Sequence, residues 1–397
     1  MVQDRKNVKA IFIGENGIGK EVNLSFPIEG WDKQINILRR RKMKSNNLLR
    51  KTVLTISVFM LVMFIGSGNA FSAKVLKLAH LNPQEPFENP TAPIAAVFKT
   101  MVESRSNLGI KVEIYPAGVL GKERESMEQV QQGVIQSYIA SGTGIAQFYK
   151  AYDVTNLPFA FNSYAVAYDV YDGPFGQEMA EDIRKKTGFK VLGFGESGGF
   201  FQISNSKRPI KTPADMKGLK IRTMAIPLHM GIIDSLGGAA TPIAWVEVYT
   251  ALQTGVVDGQ MNPIPIINTA KFFEVQKYIT LTNHLYAPYV WVLNDKWFQG
   301  LTLLEKEIIL DAAQTAVMSG RGLNRITESS DKGLPVIAKK MEVYTPSVEE
   351  LSQFRRLAIA GAQKIISEKL GEEGKAWTDK FLKAIEAAEN KMKAQVK

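Results

Sequence analysis

The chain has 397 residues, 45% of them hydrophobic and 22% charged, a globular composition with room for two or three domains. That excludes a disordered chain, a collagen and a polytopic membrane protein. The formal charge is +10, from 49 basic and 39 acidic residues. Positions 1–70 hold 12 of the basic and 5 of the acidic residues, so the remainder carries only +3 and does not read as a surface for nucleic acid or an anionic membrane. With no cysteine, disulfides, thiolate metal sites, iron–sulfur clusters and cysteine nucleophiles are excluded together.

From Met43 the chain has the layout of a cleavable secretory signal peptide over residues 43–73. Lys44, Arg50 and Lys51 form a basic region, Val53 to Ile65 an apolar run of 13 residues, and Gly66, Ser67, Gly68 and Ala70 a small-residue stretch. The run is shorter than the ~20 residues that cross a bilayer as a helix. Cleavage is expected between Ala70 and Ala73, releasing a periplasmic chain that does not stay inserted in the membrane. Residues 1–42 in front of it read as an upstream extension from a wrongly chosen start, with Arg39-Arg40-Arg41-Lys42 standing for purine-rich ribosome-binding codons. Within that extension, Gly14 to Lys20 fits the phosphate loop G-x-x-x-x-G-K. Glu21 replaces the Ser/Thr that would hold magnesium, and the following NLSFPIEGW is no helix, so nucleotide binding is not expected.

Beyond Ala73, short β-rich runs alternate with helical stretches. Val75–Leu81, Lys111–Tyr115, Ile135–Ser141 and Phe189–Gly195 read as strands, with helices over Ala92–Ser106 and Gly121–Gly133 between them. This order predicts a parallel-rich sheet covered on both faces. The theme restarts with strands at Phe200–Ser204, Leu219–Met224, Ala239–Ile243 and Gly259–Asn262 and helices at Pro227–Leu236 and Trp245–Thr254, a second α/β unit. Tyr289–Asn294 is a strand that crosses back to the first sheet. Thr302–Ser319, Asn324–Lys340 and Ser347–Ala394 are helical, with capping boxes at Thr302–Glu305 and Ser347–Glu350. The expected architecture is a two-lobe α/β fold with a ligand cleft between the lobes and a helical C-terminal region. Residues 74–198 and 288–327 are placed in the first lobe, and 199–287 and 328–397, with the C-terminal helices, in the second.

Two motifs could carry chemistry. Gly195-Glu-Ser197-Gly-Gly199 matches G-x-S-x-G, and Ser197, Asp258 and His284 would give a formal triad order. A nucleophile elbow needs a helix after the serine, whereas FFQISNS is a β pattern, so a glycine-rich bend between two strands is favoured over hydrolysis. Of the three histidines, His80, His229 and His284, none has a metal-binding partner at helical spacing, and no metal, cofactor or catalytic residue is assigned. His284, in a loop, is placed nearest the cleft. Arg222 stands at the end of the apolar run Leu219–Met224, where an arginine can grip a carboxylate by two charge-assisted hydrogen bonds. The alternative for it is a solvated edge residue or an internal ion pair.

The stretch Lys211 to Pro263, with EVYTALQTGVVDGQMNP at its end, resembles the solute-binding proteins of tripartite ATP-independent periplasmic (TRAP) transporters, the DctP-like family. Ile114–Gly133, Thr155–Phe161 and Phe272–Phe298 match it too, and the resemblance covers residues 74–397. It implies a receptor, not an enzyme, whose two lobes close over a small organic acid and deliver it to membrane permease subunits. The arginine of its K-I-R motif, here Arg222, is implied to pair with the ligand carboxylate, and the asparagine of D-G-Q-x-N-P, here Asn262, to lie in the cleft. Where family members often carry a second arginine, in G-F-R, this chain has Phe201. The missing guanidinium points to a monocarboxylate with an apolar or aromatic part, covered by Phe200 or Phe201, Trp245 and Trp291; a C4-dicarboxylate is the alternative. The segments Asn82–Asn89, including Glu88, and Ser141–Gly144, including Thr143, are the expected contributions of the opposite lobe.

Overall fold

A computed structural model describes residues 5–13, 19–27 and 73–396. The chain divides into two compact units, Met1–Phe71 and Ser72–Lys397. In the first unit, β1 (Arg5–Ile13) and β2 (Gly19–Pro27) pair antiparallel, with Ile13 opposite Gly19. Gly19 and Lys20 of the phosphate-loop pattern therefore open a strand, which offers no helix N-terminus to a phosphate. Residues 14–18 of that pattern and 43–72 of the expected signal peptide lie outside the described residues.

The second unit begins with β3 (Lys74–Ala79), α1 (Thr91–Arg105), β4 (Ile110–Tyr115), α2 (Glu123–Gln132), β5 (Ser137–Ala140) and α3 (Gly142–Ala146). After a 3-10 turn at Lys150–Asn156 come α4 (Tyr164–Asp172), α5 (Pro174–Thr187) and the 17-residue β6 (Phe189–Asn205). Then follow β7 (Lys220–Thr223), α6 (Pro227–Ser235), β8 (Ala239–Pro242), a 3-10 turn at Trp245–Glu247, α7 (Val248–Gln253), β9 (Gly259–Pro263) and α8 (Ile264–Thr269). The chain ends with β10 (Tyr278–Thr280), β11 (Tyr286–Asn294), α9 (Asp295–Gln299), α10 (Leu303–Ser329), α11 (Leu334–Lys340), β12 (Glu342–Tyr344), α12 (Val348–Ile365) and α13 (Gly371–Val396).

The strand order is β4-β3-β5-β11-β6-β9-β7-β8. Strand β3 runs parallel to β4 and β5, as a crossover through α1 requires. Strand β11 returns antiparallel between β5 and the first half of β6. The second half of β6 pairs antiparallel with β9 and β10, and β7 lies parallel to β8 and β9. One strand is thus shared by two mixed sheets, each the base of a lobe, and what the sequence presents as two strands and a glycine-rich bend is a single continuous β6. Gly198 and Gly199, at φ of 101° and 103°, let it cross between sheets without breaking.

Both capping boxes form: Thr302 Oγ1 accepts from Glu305 N at 3.3 Å, and Ser347 Oγ from Glu350 N at 3.2 Å. Helix α1 buries Ile94, Phe98 and Val102 at four-residue spacing against Ala312, Ala316 and Val317 of α10. Helices α4 and α5, which the sequence pattern does not bring out, fill the span between β5 and β6. Their ends carry ordinary signals, Ser163 Oγ accepting from Val166 N and Gly188 at φ 76° closing α5.

Helix α13 departs from expectation. Its Trp377, Phe381, Ile385 and Ala388, spaced for one helical face, join the core formed by Phe161, Tyr171 and Phe175 of the first lobe. Residues 371–396 therefore pack with the first lobe, not with the second, because that is where an unpartnered aromatic surface accepts the stripe. Phe381 is fully buried, with its ring centroid 5.0 Å from that of Phe175 and 5.5 Å from that of Phe161. Phe381→Ala is expected to lower the free energy of unfolding by about 3–5 kcal/mol. Urea denaturation showing a loss below about 1 kcal/mol would contradict this packing role for α13.

Candidate functional site

A cavity of about 310 Å³ opens between the lobes. Leu81, Asn82, Glu123, Ile139, Ser141, Thr143 and Tyr289 line it from the first lobe, and Arg222, Met224, Ile243, Trp245, Asn262 and Ile266 from the second. Ser197, on the shared strand β6, completes the wall.

Arg222 holds the key position. Its side chain lines the cavity from the sheet face of β7 and is 3% exposed. Its Nε and Nη2 donate to the carbonyl oxygen of Ile243 at 3.0 and 2.8 Å. Its Nη1 is buried with no hydrogen-bond partner. Burial in a dry site pushes its pKa down to about 10, against the opposing pull of the Glu123 carboxylate. A guanidinium tethered on one edge and uncommitted on the other is preorganised to take an anion, since an unpaired buried charge is costly until a counter-charge arrives.

Glu123, which the sequence reading missed, faces it. The capping role at the start of α2 falls to Glu125, whose Oε2 accepts from Lys122 N at 3.0 Å, and this leaves Glu123 to cross to β5. There it accepts from Ser141 N at 2.7 Å and Ser141 Oγ at 2.6 Å. Burial raises its pKa, and the Ser141 hydrogen bonds and Arg222 oppose that rise. Acidic residues in a first helical turn read as partners of the helix dipole, which hides a second role. Asn82 donates to Tyr289 Oη at 3.2 Å and to Thr91 Oγ1 at 3.1 Å, steadying the first-lobe wall. Asn262, on β9, donates to Gln260 Oε1 at 2.6 Å, which in turn belongs to a chain with Ser204.

The structure brings Arg222, Asn262, Trp245 and Thr143, with Asn82 and Ser141 of the expected segments, to one cavity and leaves Phe200, Phe201, Trp291, Glu88 and His284 outside it. Phe201 is buried in the second-lobe core with Ile203 and Met261, because the glycines before it reset the strand alternation. Phe200 packs on Tyr164 and Tyr286, at centroid distances of 4.8 and 5.7 Å. Trp291 lies fully buried against Phe98 and donates to Ser137 Oγ at 2.8 Å. Glu88 is an exposed rim residue, 3.7 Å from Lys332 Nζ. His284 sits behind the cavity, with its ring nitrogens 2.7 Å from Thr282 Oγ1 and 3.4 Å from Met261 Sδ. Asp258 Oδ2 accepts from Lys220 N at 2.9 Å. Ser197, His284 and Asp258 therefore form no triad. His80 and His229 are also buried, facing Gln84 and Asn156 at 2.9 Å each. Among the described residues no group of three His, Asp or Glu could hold a metal ion.

Two α/β lobes around a cavity are the architecture of a solute-binding receptor. The chain matches the bacterial extracellular solute-binding protein family 7, DctP, over residues 82–369 and belongs to that family. It is 33% identical over 256 residues to the 2,3-diketo-L-gulonate-binding periplasmic protein YiaO of Escherichia coli, covering 64% of this chain and 77% of that one. A TRAP periplasmic solute-binding protein from a Polaromonas species, solved with D-erythronate, superposes with a TM-score of 0.70 at 33% identity, covering 77% of this chain and 98% of that one. The sugar-acid-binding protein of Advenella mimigardefordensis, solved with galactonate, gives 0.73 at 30% identity, with 80% and 99% covered. The protein is thus a solute-binding receptor of the TRAP type, like the periplasmic solute-binding proteins it matches.

Burial pushes the pKa of His284 down to about 4 from the usual 6.5. Between those values the folded chain holds fewer protons there than the unfolded chain. The stability tied to this residue is therefore intact above pH 6.5 and lost as pH falls toward 4, by about 1.4 kcal/mol per pH unit. His284→Gln escapes that loss, so its stability relative to the wild type should climb by about this slope over the same range. A pH-independent difference between the two in urea titrations would refute neutral burial of His284.

Proposed function

We propose that the cavity takes a monocarboxylate with an apolar backbone and at least one hydroxyl, held by Arg222 and enclosed when the lobes close. The uncommitted, buried Nη1 of Arg222 carries this reading. It is the single buried cation among the described lining residues, since Lys122 and Arg124 are exposed at the rim. A second carboxylate would meet either the Glu123 carboxylate or the apolar wall of Leu81, Ile139, Ile243 and Trp245, and would be left uncompensated. Phe201, at the position where the resemblance implies a second arginine, packs with Met261 in the second-lobe core and supplies no charge to the cavity. A hydroxyl beside Glu123 would instead find a hydrogen-bond acceptor already braced by Ser141. The acids bound by the Polaromonas and Advenella relatives, erythronate and galactonate, are likewise hydroxylated monocarboxylates, though hydroxylated along their whole length.

Closure follows from contacts that exist only when the lobes meet. Lys122 Nζ lies 3.4 Å from Glu247 Oε1 across the mouth, beside the Trp245 turn. The functional lobe division is proposed at the β6 and β11 crossings near 198–199 and 287–288. A cleavable signal peptide at residues 43–73 would take the receptor to the periplasm.

Isothermal titration with D-erythronate, D-galactonate and succinate tests the reading. Arg222→Ala should weaken the bound acid by about 100-fold or more, the worth of a charge-assisted hydrogen-bond pair, while the thermal midpoint of the unliganded protein stays in place. Glu123→Gln should weaken hydroxylated acids more than unsubstituted ones. Micromolar succinate binding with no binding of any monocarboxylate, or an unchanged dissociation constant in Arg222→Ala, would overturn it.

A further inference from the structure

Four consecutive positions of β6, 196–199, lie where the strand leaves one sheet for the other. Ser197 lines the cavity. Gly198 and Gly199 follow at left-handed φ, where rotation costs least. Glu196, immediately before Ser197, points the other way, is wholly buried and is tied to two helices of the first lobe. Its Oε1 accepts from Arg325 Nη2 of α10, and its Oε2 accepts from Tyr168 Oη of α4 at 2.5 Å. Asn324 Nδ2, one residue before Arg325, donates to the backbone oxygen of Glu196 at 3.4 Å. Burial raises the Glu196 pKa, and Arg325 opposes it.

Arg325 is itself clamped. Its guanidinium lies 3.3 Å over the Tyr164 ring and pairs with Glu328 at 2.7 Å, and Tyr164 Oη donates to the same Glu328 at 2.9 Å. One turn earlier, Arg321 forks onto Asp172 at 2.6 and 2.9 Å and donates to Phe194 O at 2.7 Å. The same cluster crowds the crossover: a Cβ on Gly199 would stand 2.6 Å from Tyr164 Oη and 2.9 Å from Arg325 Nη2. The partner strand β11 shifts register at the same level, between Tyr286 and Pro288.

We propose that Glu196 and Arg325 are positioning residues for ligand capture: they touch no ligand, but set the angle at which β6 passes through Gly198–Gly199 and so hold Ser197 and the second lobe in the closed geometry. Rotation of the second lobe about the glycine pair is transmitted through Ser197 to Glu196, whose wholly buried carboxylate cannot shift without losing the Arg325 and Tyr168 partners that compensate its charge. The pair acts on the balance between open and closed forms rather than on the fold of either lobe. This rests on the receptor reading of the cavity.

The chain has no cysteine of its own, so spin labels at Lys111→Cys on β4 and Gln253→Cys on α7, both exposed positions, report the distance between lobes by pulsed electron paramagnetic resonance. In the unliganded protein, Glu196→Gln and Arg325→Met should move the distance distribution to longer, broader values, with Tyr168→Phe in between and Arg325→Lys partly restoring the wild-type profile. Circular dichroism identifies folded variants, and the lysine and phenylalanine variants remain informative should a stronger one not fold. Distributions identical to the wild type in folded Arg325→Met or Glu196→Gln would overturn the proposal. Failure of the receptor reading shows separately, as absence of binding of every acid by the unmutated protein. Arg222→Ala should leave the unliganded distances unchanged.

Discussion

The structure turns on a guanidinium kept out of water. Arg222 meets the carbonyl of Ile243 on one edge and nothing on the other, and its depressed pKa records what that isolation costs. A carboxylate from solvent relieves the cost only if it can reach Nη1 and be shielded there. Both conditions require a second wall, and the first lobe supplies it with Leu81, Ile139 and Tyr289. Under the proposed capture by Arg222, affinity and enclosure are one phenomenon: without the opposing wall, water would solvate the guanidinium in the ligand's place.

The fold answers that need by sharing elements between lobes. Strand β6 belongs to both sheets, α10 runs beside its crossover, and α13 packs onto the first lobe around Phe381. The cavity wall and the flexible glycine pair are consecutive residues of one strand.

Much of the fold was legible in sequence because it rests on local rules. The strands β3, β4, β7, β8 and β9 follow β-rich runs bounded by turns, and the boxes at Thr302 and Ser347 announce their helices with reciprocal side-chain groups. Helices α4 and α5 were not legible: α4 is apolar on much of its circumference, and a helix buried on several sides loses the periodic contrast that marks one at a surface. The site was half legible. Arg222 declared itself as a charge within an apolar strand, whereas Glu123 looked like one more acidic residue in a first helical turn. Phe200 and Phe201 misled because two left-handed glycines upstream changed which way their side chains face.

By itself the sequence determined most of the elements, the family and the presence of an arginine in an apolar strand at the cavity, since residue type, periodicity and capping act within a few positions of one another. Tertiary structure alone decided what that cation would face. Glu123 and Arg222 lie 99 positions apart in the numbering, and only the meeting of α2 with β7 across the cleft places a braced acceptor opposite an uncommitted donor. It also decided that Trp291 and His284 are core residues and that α13 returns to the first lobe, because burial depends on which surfaces are left to cover once the chain has closed on itself.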